Sequence, residues 1–287
     1  MSTENTREEV SQVRAEINYI RNPPAQDEAL LEFFSESEEF STMQTLPGRE
    51  VWIRDARTLS SSLDREGFVL APHSSAIDNL ENVELDAAKN AAYVAELIPF
   101  LIDLTGASRV VILGGAKQRF SECAIDKLAP LVNAKPARYP HADNTDASSS
   151  AQIKMIAAAT ADLDLAAYPR CALFNIWRCI SPAPQISPLA VCDARSISPA
   201  DEIAVCAVTP ILGHGDYRHE TSSYLYNPAH RWHYYPDMTD HEVIVFKTHD
   251  TDASRARRVA HTAFDDNTCI DVHARASVEV RALALFK

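Results

Sequence analysis

The chain reads as a mainly β protein, a sandwich or barrel of short strands with its helices mostly in the N-terminal half. Three observations carry this reading. Beyond residue 135, clusters of Pro, Ser and Asp punctuate short apolar runs, the pattern of strands joined by turns. Between about residues 85 and 131 the apolar spacing is helical, interrupted by one β-branched run. Hydrophobic residues make up 46% of 287 positions and charged residues 23%, which is enough apolar material for the core of one large domain.

Taken in order, residues 1–48 are expected to form a helical N-terminal extension, and residues 49–287 the main domain. "TREEVSQVRAEINYI" fits an amphipathic helix, "RNPPAQ" stops it with two prolines, and "DEALLEFFSESEEF" fits a second helix. "REVWIRDART" and "GFVLAPHSS" then read as strands. "LDAAKNAAYVAELIPFLIDLTG" reads as a helix, and "SRVVILGG" as a buried strand. After residue 135 the expected strands are "CALFNIWRCI", "PLAVCDARSI", "SSYLYN", "RWHYYPDM", "HEVIVFKTHD" and "ASVEVRALALF", with "QIKMIAAATADLDLA" as the main helical insertion.

Composition excludes several functions. The net charge is -13 and the pI about 5.2, which argues against nucleic acid, because phosphate binding needs a basic surface. It gives no attraction to anionic lipid either. The opening "MSTENTREEV" lacks the apolar core of a signal peptide. The most apolar stretch is broken by Glu96 and Asp103, so it does not span a membrane. Cys123, Cys171, Cys179, Cys192, Cys206 and Cys269 form no C-x-x-C pair and read as reduced thiols of a cytoplasmic protein.

Two pairs place a His and an Asp two positions apart: His141/Asp143 in "YPHADNTD" and His214/Asp216 in "ILGHGDYRHE". With 10 His and 40 acidic residues, ~1.4 His are expected by chance to have an acid at that spacing. Neither pair stands as a metal site on spacing alone, and Gly213 and Gly215 give the second pair the look of a turn.

The blocks "NIWRCI", "PLAVCDARSI", "YNPAHRWHYYPDMTDHEVIVFKTHD", "HTAFDD" and "ASVEVRALALF", preceded by "AEINYI", "IRDART", "GFVLAPHSS" and "LTGASRVVI", resemble those of a known family. This is the hydroxylase/desaturase family that includes the fungal gibberellin desaturase, the aspergillic-acid hydroxylase AsaB and a cephamycin-pathway methoxylation protein. The resemblance covers nearly the whole chain. It implies a double-stranded β-helix (a cupin-like jelly roll) with Fe(II), 2-oxoglutarate as cosubstrate and O2. It implies oxidation of a small-molecule secondary metabolite or an amino-acid-like precursor by hydroxylation, desaturation or cyclisation, with release of succinate and CO2. The oligomeric state stays open in the sequence, with a homodimer among the candidates. One departure is that Asn144 stands where the family usually has Gln.

Through the resemblance, His141 and Asp143 supply two metal ligands and His261, in "VAHTAFDDN", the third. Two imidazoles and one carboxylate on one face leave positions open for cosubstrate and oxygen. His230 and His233 are the rival distal ligands. The distal carboxylate of 2-oxoglutarate needs a buried cation, for which the planar fork of Arg is suited. Arg275 and Ser277 form an R-x-S pattern on one strand face, and Arg281 is the rival anchor. Asn175, Trp177, Arg178, Arg231 and Trp232 are the expected substrate-pocket residues, Arg178 foremost. A zinc hydrolase using the same ligands and a non-catalytic binding protein stand as the alternative readings.

Overall fold

The structure, a computed structural model, describes residues 11–22, 30–34, 41–124, 135–211 and 215–287. Among the described residues, fourteen strands form two facing sheets. In chain order they are β1 (Gln12–Ile17), β2 (Leu31–Phe34), β3 (Arg49–Asp55), β4 (Phe68–Pro72), β5 (Arg109–Phe120), β6 (His141–Ala142) and β7 (Arg170–Cys179), followed by β8 (Leu189–Cys192), β9 (Glu202–Ile211), β10 (Gly215–Tyr224), β11 (Trp232–Tyr234), β12 (Glu242–Asp250), β13 (His261–Ala263) and β14 (Ala276–Phe286). The larger sheet has nine strands in the order β1-β3-β11-β8-β13-β6-β10-β9-β2, and the smaller has five in the order β4-β12-β7-β14-β5. Among the described residues two α-helices, α1 (Ala87–Thr105) and α2 (Asp146–Ala159), pack against them.

Period-two alternation decides what each face of the five-stranded sheet covers. Ala172, Phe174 and Ile176 of β7, with Val278, Val280 and Ala282 of β14, face outward onto Tyr93, Leu97 and Leu101 of α1. Helix α1 starts where Asp86 accepts from the backbone N–H groups of Ala88 and Lys89, and it ends at Gly106, whose φ of 71° is the left-handed cap that glycine takes most easily. The opposite face is divided. Leu173, Leu283 and Leu285 pack on Ile153 and Ile156 of α2. Trp177, Ile244 and Phe246 pack on Leu189 and Val191 of the nine-stranded sheet.

The N-terminal region corrects the sequence reading. Its described parts are strands, not a helical extension. β1 pairs antiparallel with β3 from Gln12↔Arg54 to Ile17↔Arg49, and β2 pairs parallel with β9. Val13, Ala15 and Ile17 are buried while Gln12, Arg14 and Glu16 are exposed. That is an alternation of two, which fits a strand on a half-buried sheet and not a helix. The β-branched interruption of the helical pattern expected between about residues 85 and 131 is longer than expected, because β5 runs as strand from Arg109 to Phe120; residues 125–131 lie outside the described residues. The expected helix stop "RNPPAQ" lies mostly outside the described residues. Among the described residues no helix is long and apolar enough to cross a membrane.

Candidate metal centre and its cleft

The two imidazoles come from one cross-strand pair. His141 on β6 lies directly opposite His261 on β13 in antiparallel register. Side chains of such a pair leave the sheet on the same side, and the two ring centroids are 4.2 Å apart. Asp143 follows His141 by two residues, which in extended chain returns it to the same face. Asp143 Oδ1 lies 3.9 Å from His141 Nε2 and 3.7 Å from His261 Nε2. Among the described residues, His141, Asp143 and His261 form a set whose ligand atoms all lie within 4.8 Å of one another. The two measured spacings are short enough for one ion, since two bonds of about 2.1 Å span at most about 4.2 Å.

The segment carrying these groups is held along one side by β10. Thr221 Oγ1 donates to the carbonyl of Ala142 at 2.6 Å, His219 Nε2 to that of Asp143 at 2.7 Å, and Ser222 Oγ to that of Asn144 at 3.2 Å. Thr145 then opens α2 through a capping box: its hydroxyl accepts from Ser148 N–H while Ser148 Oγ accepts from Thr145 N–H. The Ser-rich stretch after the ligands is therefore a helix start, and it turns the chain away immediately after Asp143.

Each imidazole is oriented by its own backbone. His141 Nδ1 donates to the carbonyl of Tyr139 at 3.0 Å, and His261 Nδ1 to that of Val259 at 3.2 Å. A carbonyl only accepts, so both protons sit on Nδ1 and both Nε2 lone pairs point toward Asp143. Burial holds both rings neutral, with His141 pushed down to about 4, helped by the neighbouring His261 ring, and His261 also lowered. For Asp143, burial alone would raise the pKa. The Arg281 guanidinium, the two imidazoles and a hydrogen bond from Asn175 outweigh it and hold the carboxyl well below its usual range.

The set lines a cleft of about 110 Å³ together with Arg119, Trp177, Leu189, Arg275, Glu279 and Arg281. Arg275 is 3% exposed. It donates to the Ser187 carbonyl at 2.5 Å and lies 5.7 Å from the Trp177 ring centroid. Its Nε has no hydrogen-bond partner and it has no acidic partner among the described residues. Burial lowers its pKa to about 10, which leaves it charged at neutral pH. A larger groove of about 770 Å³ lies elsewhere, but its Arg195, Arg257 and Arg258 are already paired with Asp193, Asp146 and Glu202.

The remaining expected residues divide by face. Trp177 and Asn175 share the inner face of β7. Arg178 points the other way, buried against α1, where its Nε donates to Tyr93 Oη at 2.9 Å and its other nitrogens meet His73 and the Asp240 carbonyl. It does not reach the cleft. Arg231 is ion-paired with Asp193, and Trp232 is fully buried with its indole N–H donated to Tyr19 Oη; neither lines the cleft. Ser277 is buried with Oγ 3.4 Å from the Arg119 carbonyl, and Arg281 pairs with both Asp143 and Glu279. His230 is bonded to Asp201 and Tyr19, and His214 lies outside the described residues. Asn144 is buried, and its Oδ1 lacks a partner among the described residues.

Two facing sheets with a His/Asp/His set and, among the described residues, a buried Arg without an acidic partner in one cleft fit the class of metal-dependent jelly-roll proteins. Residues 17–285 match the family described as Oxidoreductase/YMDC permease-like domain. The chain belongs to that family, the hydroxylase/desaturase group of secondary metabolism. Among its relatives, the hydroxylase/desaturase efuI of Hormonema carpetanum is 28% identical over 264 residues, covering 86% of this chain and 87% of that protein. The Fe(II)/2-oxoglutarate-dependent dioxygenase nvfI of Aspergillus novofumigatus is 26% identical over 243 residues, covering 82% of each. The fold matches a solved structure of a variant of the iron and alpha-ketoglutarate-dependent endoperoxidase NvfI, with a TM-score of 0.81 at 22% identity, over 96% of this chain and 97% of that one.

Proposed function

We propose that the protein is an Fe(II)/2-oxoglutarate-dependent oxygenase that oxidises an unactivated C–H bond of a small-molecule secondary metabolite. The observation that carries this is one cleft holding both the His141–Asp143–His261 set and a buried, charged Arg275 without an acidic partner among the described residues. A zinc hydrolase would use the same ligands and would have no need of the second feature. The relatives named as hydroxylase/desaturase and as 2-oxoglutarate-dependent dioxygenases support the same reading.

The donor set suits iron(II), being two neutral imidazole nitrogens and one carboxylate oxygen on one side, the arrangement that leaves positions open. Bound there, iron would activate O2, which is the oxidant: its oxidising equivalents would be divided between 2-oxoglutarate, converted to succinate and CO2, and the substrate C–H bond. The chain's own contributions are binding and orientation. His141 and His261 present fixed Nε2 lone pairs. Arg275 receives the distal carboxylate of 2-oxoglutarate and gains the charge-assisted partner that its burial otherwise denies it. Trp177 covers the guanidinium and keeps water from it.

Anaerobic loading with Fe(II) and then 2-oxoglutarate tests the proposal. The expected result is a weak visible charge-transfer band that appears only with both present. Protein that binds Fe(II) but shows no 2-oxoglutarate-dependent band, and forms no succinate in air, would overturn the reading and favour one of the alternatives.

A further inference from the structure

Asp143 uses its two oxygens differently. Oδ1 faces both imidazoles. Oδ2 accepts from Asn175 Nδ2 at 2.9 Å and pairs with Arg281 Nε at 2.8 Å. Asn175 on β7 and Arg281 on β14 are themselves direct cross-strand partners. The site is thus two facing cross-strand pairs, His141/His261 from one sheet and Asn175/Arg281 from the other, with one carboxylate between them. Glu279, two residues before Arg281 on the same strand face, holds the guanidinium through Nη2 at 3.1 Å.

We infer that Arg281 and Asn175 are positioning residues for the metal-ligating carboxylate: they clamp Asp143 Oδ2, so that only Oδ1 is offered to the ion. The inference rests on the metal reading above and extends it to residues outside the ligand set. Rotating the carboxylate to offer both oxygens would break two bonds to an ionised carboxylate, one of them from a guanidinium, and such charge-assisted bonds are about twice as strong as neutral ones. One-oxygen ligation keeps an additional metal position free. The clamp also fixes the division of labour between the two arginines. Arg281 is committed to Asp143 and Glu279, whereas Arg275, in the same cleft, has no acid to hold among the described residues.

Partners of this kind that orient metal ligands typically change metal affinity by about 10- to 100-fold when removed. The test uses Co(II) alone as the probe and reads its dissociation constant and its visible ligand-field spectrum, with thermal unfolding as a check on folding. Arg281 is 45% exposed, so its replacement opens no core cavity. Arg281→Met is expected to weaken Co(II) binding about 10- to 100-fold and to alter the spectrum. Arg281→Lys is expected to recover part of both, and Arg275→Met to change neither. Should the Met substitution fold poorly, Arg281→Gln gives the same reading, since its neutral amide cannot form the ion pair. Wild-type affinity and spectrum in a folded Arg281→Met or Arg281→Gln protein would overturn the clamp and leave the metal reading standing. Failure of the wild-type protein to bind Co(II) would remove the metal reading, and the clamp with it.

Discussion

Both candidate imidazole ligands are locked in one tautomer by carbonyls of their own strands, so each Nε2 meets the ion as a ready lone pair. Replacing either histidine, or Asp143, removes a third of the donor set. His141→Ala, Asp143→Ala and His261→Ala are each expected to abolish turnover and sharply weaken Fe(II) binding, measured by anaerobic titration. Full activity in the His261 variant would contradict the assignment. Arg275 acts at the other end of the cosubstrate. A charge-assisted hydrogen bond contributes about 1.5–3 kcal/mol, and each ~1.4 kcal/mol is tenfold in affinity. Arg275→Met is therefore expected to weaken 2-oxoglutarate binding by about 10- to 100-fold while leaving metal affinity in place. Arg275→Lys should fall between the two, because an ammonium keeps the charge and loses the fork. With the metal site saturated, so that any loss of metal affinity in Arg281→Met is offset, a larger 2-oxoglutarate defect in Arg281→Met than in Arg275→Met would move the anchor to residue 281.

At the scale of elements, β1 shows what the N-terminal region contributes. Ile17 is 1% exposed and packs with Tyr19, Ile53 and Trp232. Ile17→Ala is expected to cost about 2–5 kcal/mol, seen as a lowered urea midpoint. The exposed pair Arg14–Glu50 on the same two strands should contribute under about 1 kcal/mol, so Arg14→Ala serves as the contrast; equal losses from both would show that β1 is not docked as described. The same strand explains where sequence reading stops. Strands β4, β7, β12 and β14 are legible because each is a dense apolar run bounded by turn residues, and β3 through its short β-branched and aromatic stretch Val51–Trp52–Ile53. In "QVRAEI" the helical and strand periods compete over six residues, and the charged residues around them tip the reading toward helix. A similar ambiguity affects β7. Asn175, Trp177 and Arg178 form one polar-aromatic run, yet alternation sends the first two toward Asp143 and the cleft and the third against α1. The positions of His141, Asp143 and His261 are legible through family blocks. The Asn175–Arg281 clamp is not, because it depends on the register between β7 and β14, which no local pattern encodes.

For the whole molecule, acid should be a stronger denaturant than the net charge alone suggests. His233 and His249 are 5% and 4% exposed, and burial pushes each down to about 4; the nearby Asp193 and Asp146 oppose the shift without cancelling it. Unfolded imidazoles titrate near about 6.5. Between about pH 6.5 and 4 the unfolded chain therefore binds protons that the folded chain refuses, and stability falls as pH falls. The urea midpoint of metal-free protein is expected to drop clearly between about pH 7.5 and about pH 5. A flat profile over that range would mean that these rings are not buried as neutral groups.

The pairing of His141 with His261 has a consequence for the order of events in folding. β6 is two residues long and its partner β13 three, and they come from distant parts of the chain. Asp143 is finished only when β7 and β14 of the opposite sheet close over it. No early fragment carries the complete donor set, and contacts this remote in sequence form late. A bound ion can therefore act as a latch on the finished barrel but not as a template for building it. Added Co(II) should leave the refolding rate unchanged and slow unfolding. Occupancy of the site would then report the fraction of chains in which both sheets have met.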